Sequence, residues 1–492
     1  MAVRLSLGTL RKVPVESRPR VRPGAVPAGI VHLGVGAFHR AHQAVYTEAA
    51  LAAAGGDWGI IGVAPRSTEV VNNLAAQDCL FSVTSLSGDG AHCAVVGAFA
   101  GVRHAASHPQ GVVNLLADPA IRMVTLTVTE KAYQLDPATG RMRPDPAVAA
   151  DLTSDRPPTT VPGLLVRGLI ARAAADAGPI ALLSCDNLPS NGKRLHGLVT
   201  QALEYGRTDS PVVDWVHANV TFPGSMVDRI VPASTPDTLA TTERLLGVSD
   251  LAAVAAEPYQ EWVIEDRFPG GRPAWERAGA VLTDDAGPWE RLKLRALNGV
   301  HSALAYLGAL AGREMIAEAL AIPGMRDALR RFVAEDVATS FQPPAGVSVV
   351  EYGDSVLDRF ANAAIRHRTI QVAMDGSQKL PQRVLHTIMD RRAAGASPRW
   401  GALVLAAWMR FVGGTADDGQ PLPLNDPLAE RIRAALADGK DTPEGVVDAL
   451  FGLTDVFPAE LAADEPLREL VIGWLTALDQ HGVEHTLRGA MS

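Results

Sequence analysis

Gly29-Ile-Val-His-Leu-Gly-Val-Gly-Ala-Phe-His-Arg-Ala-His-Gln-Ala-Val-Tyr46 is a short apolar run, a Gly-x-Gly turn and a segment of helical texture, in that order. Its reading decides the fold of the N-terminal half. Gly29–Leu33 reads as a strand and Ala37–Tyr46 as a helix. Glycines at 34 and 36 would let a backbone approach a pyrophosphate at the start of that helix. His39 stands where the third glycine of a dinucleotide fingerprint is expected. Any tight strand-to-helix turn also uses glycine, so a nucleotide turn and a plain structural turn both stay open on these residues.

Working outward, Trp58–Val63, Leu80–Thr84, Met123–Thr129 and Pro179–Cys185 read as further strands. Helical stretches at Val70–Ala76 and Leu164–Ala177 fall between them. Such alternation predicts a parallel sheet wrapped by helices. From about Glu290 the texture changes to leucine- and alanine-rich stretches, at 291–311, 315–337, 383–393, 400–412, 427–437, 444–452 and 466–481. Two domains are therefore expected, 1–285 of α/β type and 286–492 mostly α-helical, with the Gly-, Pro- and Asp-rich residues 267–289 as the joint.

The chain has 492 residues, more than one small core organises. Its 45 basic and 54 acidic residues give a net charge of -9, which speaks against nucleic acid or an anionic membrane as partner. Cys79, Cys93 and Cys185 are odd in number and far apart, the pattern of free thiols in a reducing compartment. No clustered His/Cys spacing points to a metal site. No apolar run approaches ~18 residues, and the basic start, Arg4 to Arg22, carries no secretory apolar region and reads as an exposed arm. A cytoplasmic protein acting on a small molecule is the expectation.

The segment Arg291-Leu-Lys-Leu-Arg-Ala-Leu-Asn-Gly-Val-His301 carries the chemistry. At ~100° per residue, Asn298 sits ~140°, His301 ~80° and Glu290 ~60° around from Lys293. A lysine, an amide and an imidazole on one face can take a proton, hold an oxyanion and orient a hydroxyl; a solvated charged face is the plain alternative. Glu69, after the second strand, is the candidate ligand for the 2′- and 3′-hydroxyls of NAD, and Arg66 beside it would tolerate the 2′-phosphate of NADP. Asn187, beyond the strand ending at Cys185, could donate to an alkoxide or simply cap a turn. Asp228 and Arg229 lie in an apolar segment, as a structural ion pair or as a wall of the cofactor or substrate site. Lys131 could meet a phosphate or carboxylate, or form a surface ion pair. Lys379 and Arg383, in a polar loop from Asp375 to Arg383, could hold a polyhydroxylated or anionic substrate, or belong to a solvated turn.

Several segments together resemble the polyol-specific long-chain dehydrogenases, the mannitol dehydrogenase and fructuronate reductase group. They are IVHLGVGAFHRAHQA (30–44), TLTVTEKAY (125–133), SCDNLPSNG (184–192), TFPGSMVDRIVP (221–232), EWVIEDRFPGGRPAWERAG (261–279), KLRALNGVHSALAYLG (293–308) and DGSQKLP (375–381). The resemblance implies a Rossmann-type N-terminal domain, a helical C-terminal domain and an active site in the cleft between them. It implies metal-independent hydride transfer between NAD and a secondary carbinol, and a monomer as the default state. Lys293 would be the base, Asn187 and Asn298 the oxyanion pair, His301 the residue that positions the substrate hydroxyl, and Glu290 a proton relay. Gly34, Gly36, Ala37, Phe38 and Asp228 would meet the cofactor. A lysine acts as a base only as a neutral amine, so its pKa must fall below ~10.4, as desolvation would make it do.

Mannitol dehydrogenases of the group tend to read Thr-Glu-Gly-Gly-Tyr where this chain has Thr129-Glu-Lys-Ala-Tyr133, and arginine where Gln371 stands. In both respects the chain is more similar to fructuronate reductases. D-Mannonate and D-fructuronate are thus the favoured pair, with Lys131 as partner of the carboxylate, ahead of mannitol and fructose. A nucleotide-binding sensor without catalysis is the alternative from another class; the intact Lys293, Asn298 and His301 speak against it.

Overall fold

In the computed structural model, which describes residues 3–136, 139–439 and 442–491, the chain divides into two compact units that meet in sequence between Ala286 and Gly287.

The first unit is built on a six-stranded sheet. Its strands, in spatial order, are Phe99–His104, Gly59–Ala64, Ala28–Leu33, Met123–Leu126, Ile180–Ser184 and Val220–Thr221, all parallel. Numbered along the chain this is the order 3-2-1-4-5-6 of dinucleotide-binding folds. The strand sequences are near-continuous apolar runs because both faces are covered. Ile30, Ile60, Met123 and Leu183 pack into one core. Val31, Val63, Val124 and Leu182 pack into the other. The chain order reverses between Ala28–Leu33 and Met123–Leu126, so the crevice beyond their C-terminal ends is where such a sheet takes a ligand.

Three expectations change here. The strand at Met123 stops at Leu126 rather than Thr129, because the chain crosses over the glycine turn and Thr129 takes a positive φ of 71°. The helix expected over 37–46 is two helices, Ala37–Ala41 and Gln43–Ala54, broken at His42, whose Nε2 lies 2.9 Å from Glu261 O. Most of the expected joint belongs to the first unit. Val281–Thr283 pairs with Glu261–Glu265, and Trp275 is wholly buried, 4.6 Å from Trp262 between ring centres. A Gly- and Pro-rich composition reads as a linker; the packing of two tryptophans and a strand pairing fasten the segment to the first unit.

The second unit is helical. Gly299–Leu310 and Arg399–Val412 are buried nearly all round, as helices apolar on every face must be. The polar loop expected at Asp375–Arg383 is helical, Gly376–Leu380 running on into Pro381–Leu385 and His386–Ala393. Asp426 accounts for the difference: its carboxylate accepts the Ser377 amide at 2.8 Å and the Ser377 hydroxyl at 2.5 Å, satisfying polar groups that would otherwise favour solvent. A helix at Val349–Phe360, for which no element was expected, buries Val349, Val356, Leu357 and Phe360 along one stripe. Lys293–Asn298, Phe332–Val337 and Pro381–Leu385 are π-helical turns. Wide turns of this kind are rare and gather at functional sites.

Candidate active site

The glycine turn is tied down from beneath. Gly34 N donates to Val63 O at 2.8 Å, and Gly36 N donates to Gly34 O at 2.7 Å. Gly34 has φ 103°, and a Cβ there would lie 2.0 Å from Thr127 O, so no other residue fits. A Cβ on Gly36 would meet no protein atom within 4 Å, so the space before it is free of protein, as close approach of a pyrophosphate requires. The two glycines therefore predict different losses. Gly34→Ala should destabilise the fold by about 3 kcal/mol or more, from backbone clash and strain. Gly36→Ala should leave the urea midpoint within experimental error and weaken dinucleotide binding at least about tenfold, or ~1.4 kcal/mol. Similar midpoints for the two variants would refute this division.

Buried His32 organises the turn. Its Nε2 lies 2.9 Å from both Gly34 O and Thr127 Oγ1, and its Nδ1 lies 2.7 Å from Thr125 Oγ1. His39 occupies the place of the third glycine because its ring stacks on His32, 3.3 Å between centres. Burial holds the His32 imidazole neutral, its pKa pushed down to about 3, and His39 is lowered by the same cause and by its histidine neighbours.

A cavity of about 500 Å³ opens at the sheet's C-terminal edge, lined by Gly34, Gly36, Arg40, Arg66, Ser67, Thr127, Lys131 and Asp145 among others. Glu69 does not line it; it is exposed in the first turn of Thr68–Ala75. Ala37 and Phe38 do not line it either; Phe38 stacks on His42 at 5.0 Å. The far wall is set by Asp186, which the sequence reading passed over. One carboxylate oxygen accepts the Val128 and Thr129 amides at 2.9 and 2.8 Å, and the other accepts the Tyr133 hydroxyl at 2.8 Å. Burial raises its pKa. Its signal was an acid at a strand end next to a candidate amide: Asn187 stands exposed in the turn just beyond it. Asp228 and Arg229 are buried; the Arg229 guanidinium donates to Glu257 O at 2.9 and 3.0 Å and to Gln260 Oε1 at 3.0 Å.

In the second unit Lys293 and Asn298 are each 7% exposed. They stand at the two ends of one π-turn, where Gly299 N donates back to Leu294 O. An i→i+5 turn aligns residues five apart on one face, so the pair is better aligned than the ~140° of α-helical spacing. Glu290, half-buried, precedes them in Gly287–Leu292. His301 stacks on Phe360 at 4.5 Å and meets His367 edge-on at 4.8 Å. Its Nε2 is buried without a hydrogen-bond partner. Burial first, then the neighbouring His367, Arg383, Lys379 and Arg359, holds its pKa well below 6.5. Arg383 donates to Ser302 Oγ at 3.0 Å, and the Lys379 ammonium donates to Met374 O and to Val372 O. Lys379 and Arg383 are thus gathered around His301 rather than in a solvated loop. Among the described residues no group of three or more His, Cys, Asp and Glu could hold a metal ion, and no helix is long and apolar enough to cross a membrane.

Comparison with known proteins agrees with both units. Residues 28–277 match the mannitol dehydrogenase Rossmann domain and residues 285–474 the mannitol dehydrogenase C-terminal domain. The D-mannonate oxidoreductase of Escherichia coli (strain K12) is 38% identical over 481 residues, 96% of each chain. The mannitol 2-dehydrogenase of Cereibacter sphaeroides is 35% identical over 476 residues, 96% of this chain and 98% of the relative. The structure of Pseudomonas fluorescens mannitol 2-dehydrogenase in ternary complex with NAD and D-mannitol superimposes with a TM-score of 0.84 at 32% identity, covering 99% of each chain.

Proposed function

This chain belongs to the mannitol dehydrogenase family of oxidoreductases, and on that footing we propose that it is an NAD-dependent enzyme interconverting D-mannonate and D-fructuronate. NAD is the cofactor of the structural relative, and the open space before Gly36 and the cavity at the sheet edge suit a dinucleotide. The chemistry a bound nicotinamide supplies is acceptance or return of a hydride at the carbinol carbon.

The remaining work falls to side chains. In oxidation the Lys293 amine takes the hydroxyl proton, while the Asn187 and Asn298 amides donate to the developing alkoxide without adding charge. Neutral His301, with Nε2 unpartnered, orients the hydroxyl. Glu290 passes the proton onward. In reduction the lysine ammonium returns the proton to the same oxygen.

The observation that carries the sugar-acid reading is the surplus of cations at the candidate site residues. Lys131 stands on the cavity wall of the first unit, and Lys379 and Arg383 are gathered around His301 in the second. Burial desolvates Lys379 and Arg383, and desolvated cations favour a carboxylate-bearing substrate over a neutral polyol. The 38% identity to a D-mannonate oxidoreductase supports the same choice; the 35% identity to a mannitol 2-dehydrogenase supports the second reading, mannitol and fructose.

NADH oxidation at 340 nm with D-fructuronate and D-fructose in parallel decides between them. A preference for fructuronate of about 100-fold in kcat/KM, or ~2.7 kcal/mol, is expected. Lys131→Ala should raise KM for mannonate about tenfold or more, as loss of a charge-assisted contact does, and change KM for a neutral polyol far less. Preference for fructose would make the neutral pair the substrates, and equal effects on both KM values would leave Lys131 without a carboxylate.

A further inference from the structure

A site that selects NAD holds the 2′- and 3′-hydroxyls of the adenosine ribose on a carboxylate following the second strand, whereas an arginine there accommodates a 2′-phosphate. In this chain the second strand ends at Ala64, and the residues that follow onto the cavity wall are Pro65, Arg66 and Ser67. Glu69 is exposed and off that wall. Asp145 is the one carboxylate lining the cavity among the described residues, and it is engaged: one oxygen accepts the amides of Ala147 and Val148, each at 2.9 Å.

The cationic side is better supplied. Arg40 is fastened beside the glycine turn, Nε donating to Gly36 O at 3.3 Å and Nη1 to Ala252 O. It provides charge near the pyrophosphate position, which leaves Arg66 for a further anion. The Arg66 backbone is anchored, with its carbonyl 3.1 Å from His104 Nε2 and His104 Nδ1 2.6 Å from Ser107 Oγ. Ser67 precedes the helix Thr68–Ala75 and makes no capping bond to it, so its hydroxyl is available together with the first-turn amides.

From these observations we infer that the dinucleotide cavity also takes NADP(H), with the 2′-phosphate held by Arg66 and Ser67, so that the enzyme uses both cofactors. The inference rests on the dinucleotide reading of the first unit and is independent of the sugar substrate. A guanidinium and a hydroxyl on an anchored loop suit a phosphate dianion, and among the described residues the one wall carboxylate, Asp145, is held at the start of the helix Pro146–Thr153 as its cap.

Direct binding tests this without turnover. NADH and NADPH are titrated into the full chain by nicotinamide fluorescence at equal ionic strength. NADPH is expected to bind within about tenfold of NADH, ~1.4 kcal/mol. Arg66→Ala, on an exposed loop, is expected to weaken NADPH at least about tenfold more than NADH, the scale of a lost charge-assisted bond. NADPH binding weaker than that window, or equal losses for the two cofactors in Arg66→Ala, overturns the inference while leaving NAD use intact. A roughly tenfold loss of NADH affinity in Glu69→Gln, ~1.4 kcal/mol, overturns it too, since that carboxylate would then reach the ribose. Binding of neither cofactor overturns the dinucleotide reading as well.

Discussion

Lys293→Ala is expected to lower kcat by about 10³-fold in both directions, within the range that a positioned general acid or base contributes. The loss should appear in kcat for oxidation and reduction alike, because a base that takes the proton one way would return it the other. NADH affinity, read by fluorescence, should change little by comparison. The pH dependence gives a second readout. His301 is held well below 6.5 by burial and by the cations around it, so it stays neutral through the working range and contributes no inflection. A rising limb in kcat/KM for oxidation then belongs to deprotonation of the lysine, and it should vanish in Lys293→Ala while the residual rate stays flat. A loss of less than tenfold, or a limb that survives the substitution, would remove Lys293 from the proton transfer.

The second large effect is on stability. His32, His39 and His301 are buried, and each has its pKa lowered in the folded protein, His32 to about 3. Unfolded, each titrates near 6.5. Below that value the unfolded chain binds protons that the folded chain does not, so stability is full above pH ~6.5 and is lost as pH falls toward the folded pKa values. Each group removes ~1.4 kcal/mol per pH unit across that window. His32 and His39 lie in the first unit, so between pH 6.5 and 5 that unit should lose about 3 kcal/mol. In the second unit Asp336 acts in the opposite sense. Burial raises its carboxyl to about 6, so its protonation favours the folded form as pH falls from 6 toward its ordinary range. Urea unfolding followed at several pH values, for wild type and for His39→Leu, measures the effect. The variant should lose about one proton's worth of slope, ~1.4 kcal/mol per pH unit. Parallel slopes would mean that His39 does not enter the linkage.

Both predictions depend on side chains whose types were visible in the sequence and whose settings were not. Lys293, Asn298 and His301 were legible as one polar face in an apolar helix, because helical periodicity is a local property. The π-turn that brings Lys293 and Asn298 into line was not, since i→i+5 bonding depends on how the helix is packed. His39 was legible only as a departure from a fingerprint; the stack on His32 that replaces the glycine joins side chains seven positions apart across a turn. Glu69 was placed by its distance along the chain from the second strand, whereas the cavity wall there is formed by Arg66 and Ser67.

What the sequence by itself determined is the alternation of apolar strands and helices, the Gly34–Gly36 turn, the helical second half and the family. These are carried by patterns within a few tens of residues: period-2 and period-3.6 burial, and the steric demand of glycine. Tertiary structure alone decided that residues 267–286 belong to the first unit rather than to a joint, that Asp375–Arg383 is helix rather than loop, and that Asp186 fixes the cavity wall. Each was settled by a partner distant in sequence: Trp262 for Trp275, Asp426 for Ser377, and the amides of Val128 and Thr129 for Asp186. A buried polar or aromatic group takes its conformation from whatever satisfies it, and that partner is known only once the chain has folded.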